Sequence, residues 1–165
     1  MNREENISTE QKRYHLAQIN ISRMLAPITD PLMADFVAQL QIINAIADAS
    51  PGFVWRLQSE DNGNATSIRA YEDERILVNF SVWESIEALS HYVYSSQHGA
   101  VMRSRRRWFE KSDQPNLALW WIEAGHIPTI EEAKERLEHL RDCGSTSYAF
   151  SFAKPFSPPC QALVI

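Results

Sequence analysis

From Arg75 to Trp83 the chain alternates without a break, placing Ile76, Val78, Phe80 and Val82 on one side and Leu77, Asn79, Ser81 and Trp83 on the other. A period of two sustained over this length predicts a β-strand. One side is purely apolar. The opposite side joins an amide, a hydroxyl and an indole, a mixture that suits neither a sealed core nor open solvent and so points to a wet cavity or a subunit interface. Any fold for this chain has to cover the two faces of one strand in different ways.

Three further strands and three helical regions flank it. Tyr14 to Ser22 alternates in the same manner, with Leu16, Gln18, Asn20 and Ser22 on its more polar side. Phe53 to Leu57 is short, aromatic and β-prone, and Leu117 to Ala124 is apolar on both sides. Asp30-Pro31 reads as an N-cap with proline in the first turn, followed by Leu32, Phe36, Leu40, Ile43 and Ala47 at helical spacing, and Ser50-Pro51-Gly52 closes that helix. Ser85 caps a second helix with Ile86, Leu89 and Val93 inward, and Gly99 predicts two helical segments meeting near Ser95 to His98. Thr129 and Glu132 form a capping box for a third, whose apolar stripe runs to a Gly144 C-cap. Ser67 to Tyr71 is a weaker strand candidate, and Ser147 to Ala153 reads as an edge strand.

The order strand, helix, strand, strand, helix, strand predicts an α+β, ferredoxin-like split βαβ antiparallel sheet with helices on one face. The expected domain spans residues 14–153, with a disordered segment over 1–13 and a proline-rich tail over 154–165. A chain of 165 residues, 44% hydrophobic, supports one core and not two. In this reading the second face presents Gln18, Asn20, Trp55, Leu77, Asn79, Ser81, Trp83 and one of Trp120 or Trp121. A twin subunit packed on it buries the indoles and leaves an amide-lined hollow between sheet and helix.

The net charge of −5 argues against a nucleic-acid partner. The one dense basic run, Arg103, Arg105, Arg106 and Arg107 before Trp108 and Phe109, therefore reads first as a solvated helix. Arg106 and Trp108 alternatively border a cleft, where an arginine attracts an acidic group. Cys143 and Cys160 form no CxxC pair, the first thirteen residues lack a signal-like apolar stretch, and no run reaches membrane-spanning length. The expectation is a cytoplasmic protein without a membrane partner.

The runs SPGFVWRL (50–57), LVNFSVWESIEAL (77–89), WWIEAGHIPTIEEAKERL (120–137) and the series Tyr94, His98, Arg106, Trp108-Phe109 resemble a bacterial family described only as a domain of unknown function. The resemblance covers about residues 14–153. It implies a place among the dimeric α+β barrels, which include antibiotic-biosynthesis monooxygenases, and a likeness to spheroidene monooxygenase. It therefore implies a homodimer, and a function resembling small-molecule monooxygenases that bind a planar or phenolic ligand in an aromatic cleft. The alternative is a non-catalytic ligand-binding or assembly protein whose sheet face only makes the dimer. Absence of a cavity beside Asn79 would select that alternative.

His98 is the candidate catalytic residue, because an imidazole at the helix break can take a proton from a phenol or ligate a haem iron. Its structural counterpart is a histidine bonded to a backbone carbonyl. Asn79, Ser81, Trp83, Tyr94, Arg106, Trp108 and Trp121 complete the candidate ligand-binding set, with Asn79 and Ser81 alternatively pairing with Gln18 and Asn20. His126, beside a helix N-terminus, reads as a structural bridge. The cofactor expectation stands between none and haem. No HExxH, GxGxxG, Walker or GxSxG pattern occurs, and no metal site is expected.

Overall fold

Four strands pair in the order β2-β3-β1-β4, every pair antiparallel. They are β1 (Tyr14–Arg23), β2 (Phe53–Arg56), β3 (Ile76–Trp83) and β4 (Leu117–Glu123). The helices are α1 (Ala34–Ala49), α2 (Ile86–Val93), α3 (Ser96–Ser104) and α4 (Ile130–Cys143). The structure is a computed structural model that describes residues 13–159. Residues 1–12, expected to be disordered, and 160–165, the end of the expected tail, lie outside the described residues. Strand order, pairing sense and the β1-α1-β2-β3-α2/α3-β4 sequence of elements make this the ferredoxin-like split βαβ plan.

The helix starts follow the local chemistry. The Asp30 carboxylate accepts the Leu32 N–H at 2.8 Å and opens a 3₁₀ turn, Pro31–Met33, that runs into α1. Ser85 and Thr129 each accept the N–H three residues on, at 3.1 Å. Glu132, however, turns its carboxylate away from the capping box. It accepts the Trp120 indole N–H at 3.0 Å and pairs with His126 at 2.9 Å, so His126 bridges the β4–α4 connection to the helix it precedes.

The two sheet faces divide as the alternation requires. Ala17, Ile19, Ile21, Val78, Phe80, Val82, Ala118, Trp120 and Ile122 share the apolar face, on which α4 lays Ala133, Leu137 and Leu140. The opposite face carries Leu16, Gln18, Asn20, Leu77, Asn79, Ser81, Trp83, Leu119 and Trp121. Here the structure corrects the expectation that Trp83 is left for a twin subunit to cover, while Asn79 stays exposed. Ala47, Ile43 and Ile46 of α1 and Leu89 and Tyr92 of α2 already cover that face around Leu16, Trp83 and Leu119. Enough apolar area lies among its polar groups to dock α1, α2 and α3, and α4, lying beyond the ferredoxin-like core, takes the other face.

Three smaller corrections have local causes. A bulge between Phe53 and Trp55 switches faces within β2, so Trp55 does not join the indole face but packs edge-on against Phe80 at 5.2 Å. Ser67 to Tyr71 forms no strand, because residues 57–75 run as turns and bends closed by local bonds such as Ser59 N–H to Asn64 O at 2.8 Å. Ser147 to Ala153 reduces to two isolated bridges, Phe150 to Leu119 and the local Ser151 to Lys154, since turns at Thr146–Ala149 and Ser151–Lys154 stop the ladder. No helix among the described residues is long and apolar enough to cross a membrane.

Candidate functional site

Where α1 and α3 stand over the amide face, the packing leaves a cavity of about 170 Å³. Phe36, Leu40 and Ile43 of α1, Asn20 of β1, Leu77 and Asn79 of β3, and His98, Val101 and Met102 of α3 are among its walls. It lies beside Asn79, as the amide-lined hollow expected from the sequence requires.

His98 owes its position to the break between α2 and α3. Tyr94 leaves helical geometry at φ −94°, ψ 9°, and Ser95 is extended at ψ 153°, so α3 starts in a new direction. A helix end leaves carbonyls without intrahelical partners. The His98 ring meets one of them, its Nδ1 lying 2.8 Å from Val93 O. A carbonyl only accepts, so Nδ1 carries the proton and Nε2 is left as a lone-pair acceptor. Nε2 has no hydrogen-bond partner among the described residues. Burial pushes the imidazole below its ordinary value of 6.5, against the smaller opposing effect of the Val93 carbonyl.

That shift has a sign in stability. Below about pH 6.5 the unfolded chain takes up a proton that folded His98 resists, so its contribution is present above that pH and lost as the pH falls. Urea midpoints of wild type and His98→Gln, measured from about pH 7.5 down to about pH 5, should therefore converge on acidification. A constant gap would show that His98 is not held neutral.

Behind His98 stands Tyr92, with ring centroids 4.8 Å apart. Burial raises the Tyr92 hydroxyl to about 12, so it stays protonated. Tyr92 in turn stacks on the fully buried Trp83 at 5.1 Å. Trp83 donates its indole N–H to Ser81 Oγ at 2.9 Å, and Gln18 Nε2 donates to both Ser81 Oγ at 3.1 Å and Asn79 Oδ1 at 3.0 Å. This chain satisfies the buried polar atoms and orients Asn79. With its Oδ1 occupied, Asn79 has its amide N–H groups to offer to the cavity. The pairing runs to Gln18 and not to Asn20.

Two arginines reach the cavity wall. Arg56 is committed: it grips Asp48 of α1 at 2.7 and 3.2 Å and donates to Gly63 O at 2.7 Å, tying α1 to the 57–66 loop. Arg105 is exposed and has no partner among the described residues.

Of the candidate residues, the structure brings Asn79 and His98 together in one cavity, with Ser81 and Trp83 as a buried layer supporting them. Trp108 is buried beside Met24 and Met33, its ring centroid 5.8 Å from that of Phe36, and does not line the cavity. Tyr94 is 75% exposed, because the break after Val93 rotates it off the line that helical spacing draws through His98. Arg106 is exposed outside the lining. Trp121 lies elsewhere, bonding Phe156 O at 2.8 Å in a surface groove with Tyr14, Glu84 and Glu87. The reading missed Tyr92, Arg56 and Arg105 as site residues. Tyr92 lies three positions after Leu89 on the inward stripe, which is the signal that could have found it.

Toward a haem, His98 offers the single imidazole among the described residues that line the cavity. Among the described residues no three His, Cys, Asp or Glu side chains gather as metal ligands.

Residues 15–164 match the family model DUF3291, described as a domain of unknown function. No curated protein sequence matches the chain. Similar solved structures include Rv0793 from Mycobacterium tuberculosis, with 15% identity, a TM-score of 0.47, and coverage of 70% of this chain and 99% of that one. PA3566 from Pseudomonas aeruginosa is similar at 12% identity and TM-score 0.45, covering 72% and 99%. SnoaB from Streptomyces nogalater, a cofactor-independent oxygenase, is similar at 17% identity and TM-score 0.40, covering 68% and 95%.

Proposed function

We propose, from the premise that this chain belongs to the DUF3291 family, that it is a cytoplasmic small-molecule-binding protein that takes a planar phenolic ligand between the sheet and helices α1 and α3. The observation that carries this reading is an imidazole nitrogen, kept neutral and without a partner among the described residues, in the same cavity as a pre-oriented amide. A phenol there donates its O–H to His98 Nε2, and Asn79 N–H groups stabilise the oxygen as it gains charge. Phe36 and Phe109 supply apolar walls for the ring. Catalysis of the cofactor-free oxygenase kind would start from such an anion, since an electron-rich phenolate can pass an electron to dioxygen. Binding is the step shared by an enzyme and a carrier, and it is what the first experiment measures.

The probe is 4-nitrophenol, whose anion absorbs in the visible. Wild type should bind it and shift the balance between its phenol and phenolate bands. His98→Ala should lose about 10- to 100-fold in affinity, the equivalent of one hydrogen bond to a charged group at about 1.5–3 kcal/mol. Equal affinity and equal spectra in the two proteins would remove His98 from the site. Light scattering on the same samples tests the homodimer. A mass of one chain would remove it.

A further inference from the structure

The charge around the cavity is lopsided in a way the composition does not foretell. The sequence holds 21 acidic and 16 basic side chains, yet among the described residues no aspartate or glutamate lines the cavity, whereas two arginines do. Arg56 is neutralised by Asp48. Arg105 is not neutralised by any described group, and exposed Arg103 and Arg106 stand beside it in sequence. Of the dense basic run in this acidic chain, Arg105 alone lines the cavity, while Arg107 pairs with Asp35 at 3.0 Å, so Arg105 is the cation that draws anions to this wall.

The spacing adds a length. His98, Val101, Met102 and Arg105 all line the cavity, at the three-, four- and seven-residue intervals of one helical face. Two turns separate His98 from Arg105, about 10 Å along the axis. One end of that row accepts a proton and the other binds an anion. An aromatic ring with a hydroxyl at one end and a carboxylate at the other matches both ends at once.

Building on the phenol-binding reading above, we infer that the ligand is a hydroxyaryl carboxylate, its hydroxyl at His98 and Asn79 and its carboxylate held by Arg105 at the mouth. Arginine suits this role because its planar fork donates two parallel N–H bonds to a carboxylate. Phenols without the acid then bind the same inner site more weakly.

Calorimetry with 4-hydroxybenzoate and 4-hydroxybenzyl alcohol, which differ in the acid group, tests this. Wild type should bind the acid about 10-fold or more tightly than the alcohol at low salt, and about 0.5 M salt should shrink that preference. Arg105→Gln should abolish the preference, and Arg105→Lys should restore part of it. If wild type binds both ligands equally, or if Arg105→Gln keeps the preference, the inference is wrong and the phenol reading survives. If neither ligand binds, both fall together. Because Arg105 is exposed, its variants leave the core intact, and an unchanged urea midpoint verifies this.

Discussion

Trp83→Ala is expected to destabilise the protein by about 3–5 kcal/mol, the range for truncating a buried large aromatic. Trp83 is fully buried on β3, where Phe53 meets it edge-on at 5.4 Å and Tyr92 stacks on it at 5.1 Å. Removing the indole opens a void against both rings and also takes the donor from Ser81. Tyr92 then loses its support, and His98, which rests on Tyr92, loses the ring that fixes its orientation. Trp83→Phe keeps most of the packing and loses the indole N–H, so it should cost about 1–2 kcal/mol. Urea unfolding with an unchanged slope measures both. A loss below about 1 kcal/mol for the alanine variant would mean that the helices do not depend on this face of the sheet.

Gly52→Ala ranks second. Gly52 links α1 to β2 with φ at +79°, a conformation that costs an L-residue about 1–2 kcal/mol. A Cβ placed there would lie 2.6 Å from the Ala88 Cβ on α2, closer than two such atoms can approach. Neither neighbour can swing aside, because Gly52 O accepts the Glu84 N–H at 2.7 Å and Ala88 is held in its helix. Overpacking adds about 1–3 kcal/mol, for a combined loss of about 2–5 kcal/mol. Introduced into an Ala88→Gly background, the same substitution should cost less, because only the backbone strain remains. Equal costs in the two backgrounds would show that α2 does not press on this turn.

Much of the fold was legible because the signals are local. Alternation in 14–22 and 75–83, the Asp30, Ser85 and Thr129 caps, and the interruption before His98 each follow from a few neighbouring residues, and each matches its element in the structure. The misreadings share a cause. The Phe53–Trp55 bulge depends on how β2 pairs with β3, which the aromatic run itself does not encode. The 67–71 and 147–153 segments have β-prone residues but no partner strand long enough to keep them extended.

The site divides the same way. Asn79 and His98 stood out by residue type and position, and they do share a cavity. Tyr94, Trp121 and Arg106 stood out equally and do not join them, because a helix break redirects one and chain packing carries the others elsewhere.

By itself, then, the sequence determined the strands, the caps and the existence of one central strand with an apolar and a polar face, since these rest on dihedral preferences and spacing within a few residues. Only the tertiary structure decided that the polar face is covered by the chain's own α1, α2 and α3, and that His98, Asn79 and Arg105 look into one space. The reason is physical. Which surfaces meet depends on burying the most apolar area across residues far apart in the chain, and no local pattern records that sum.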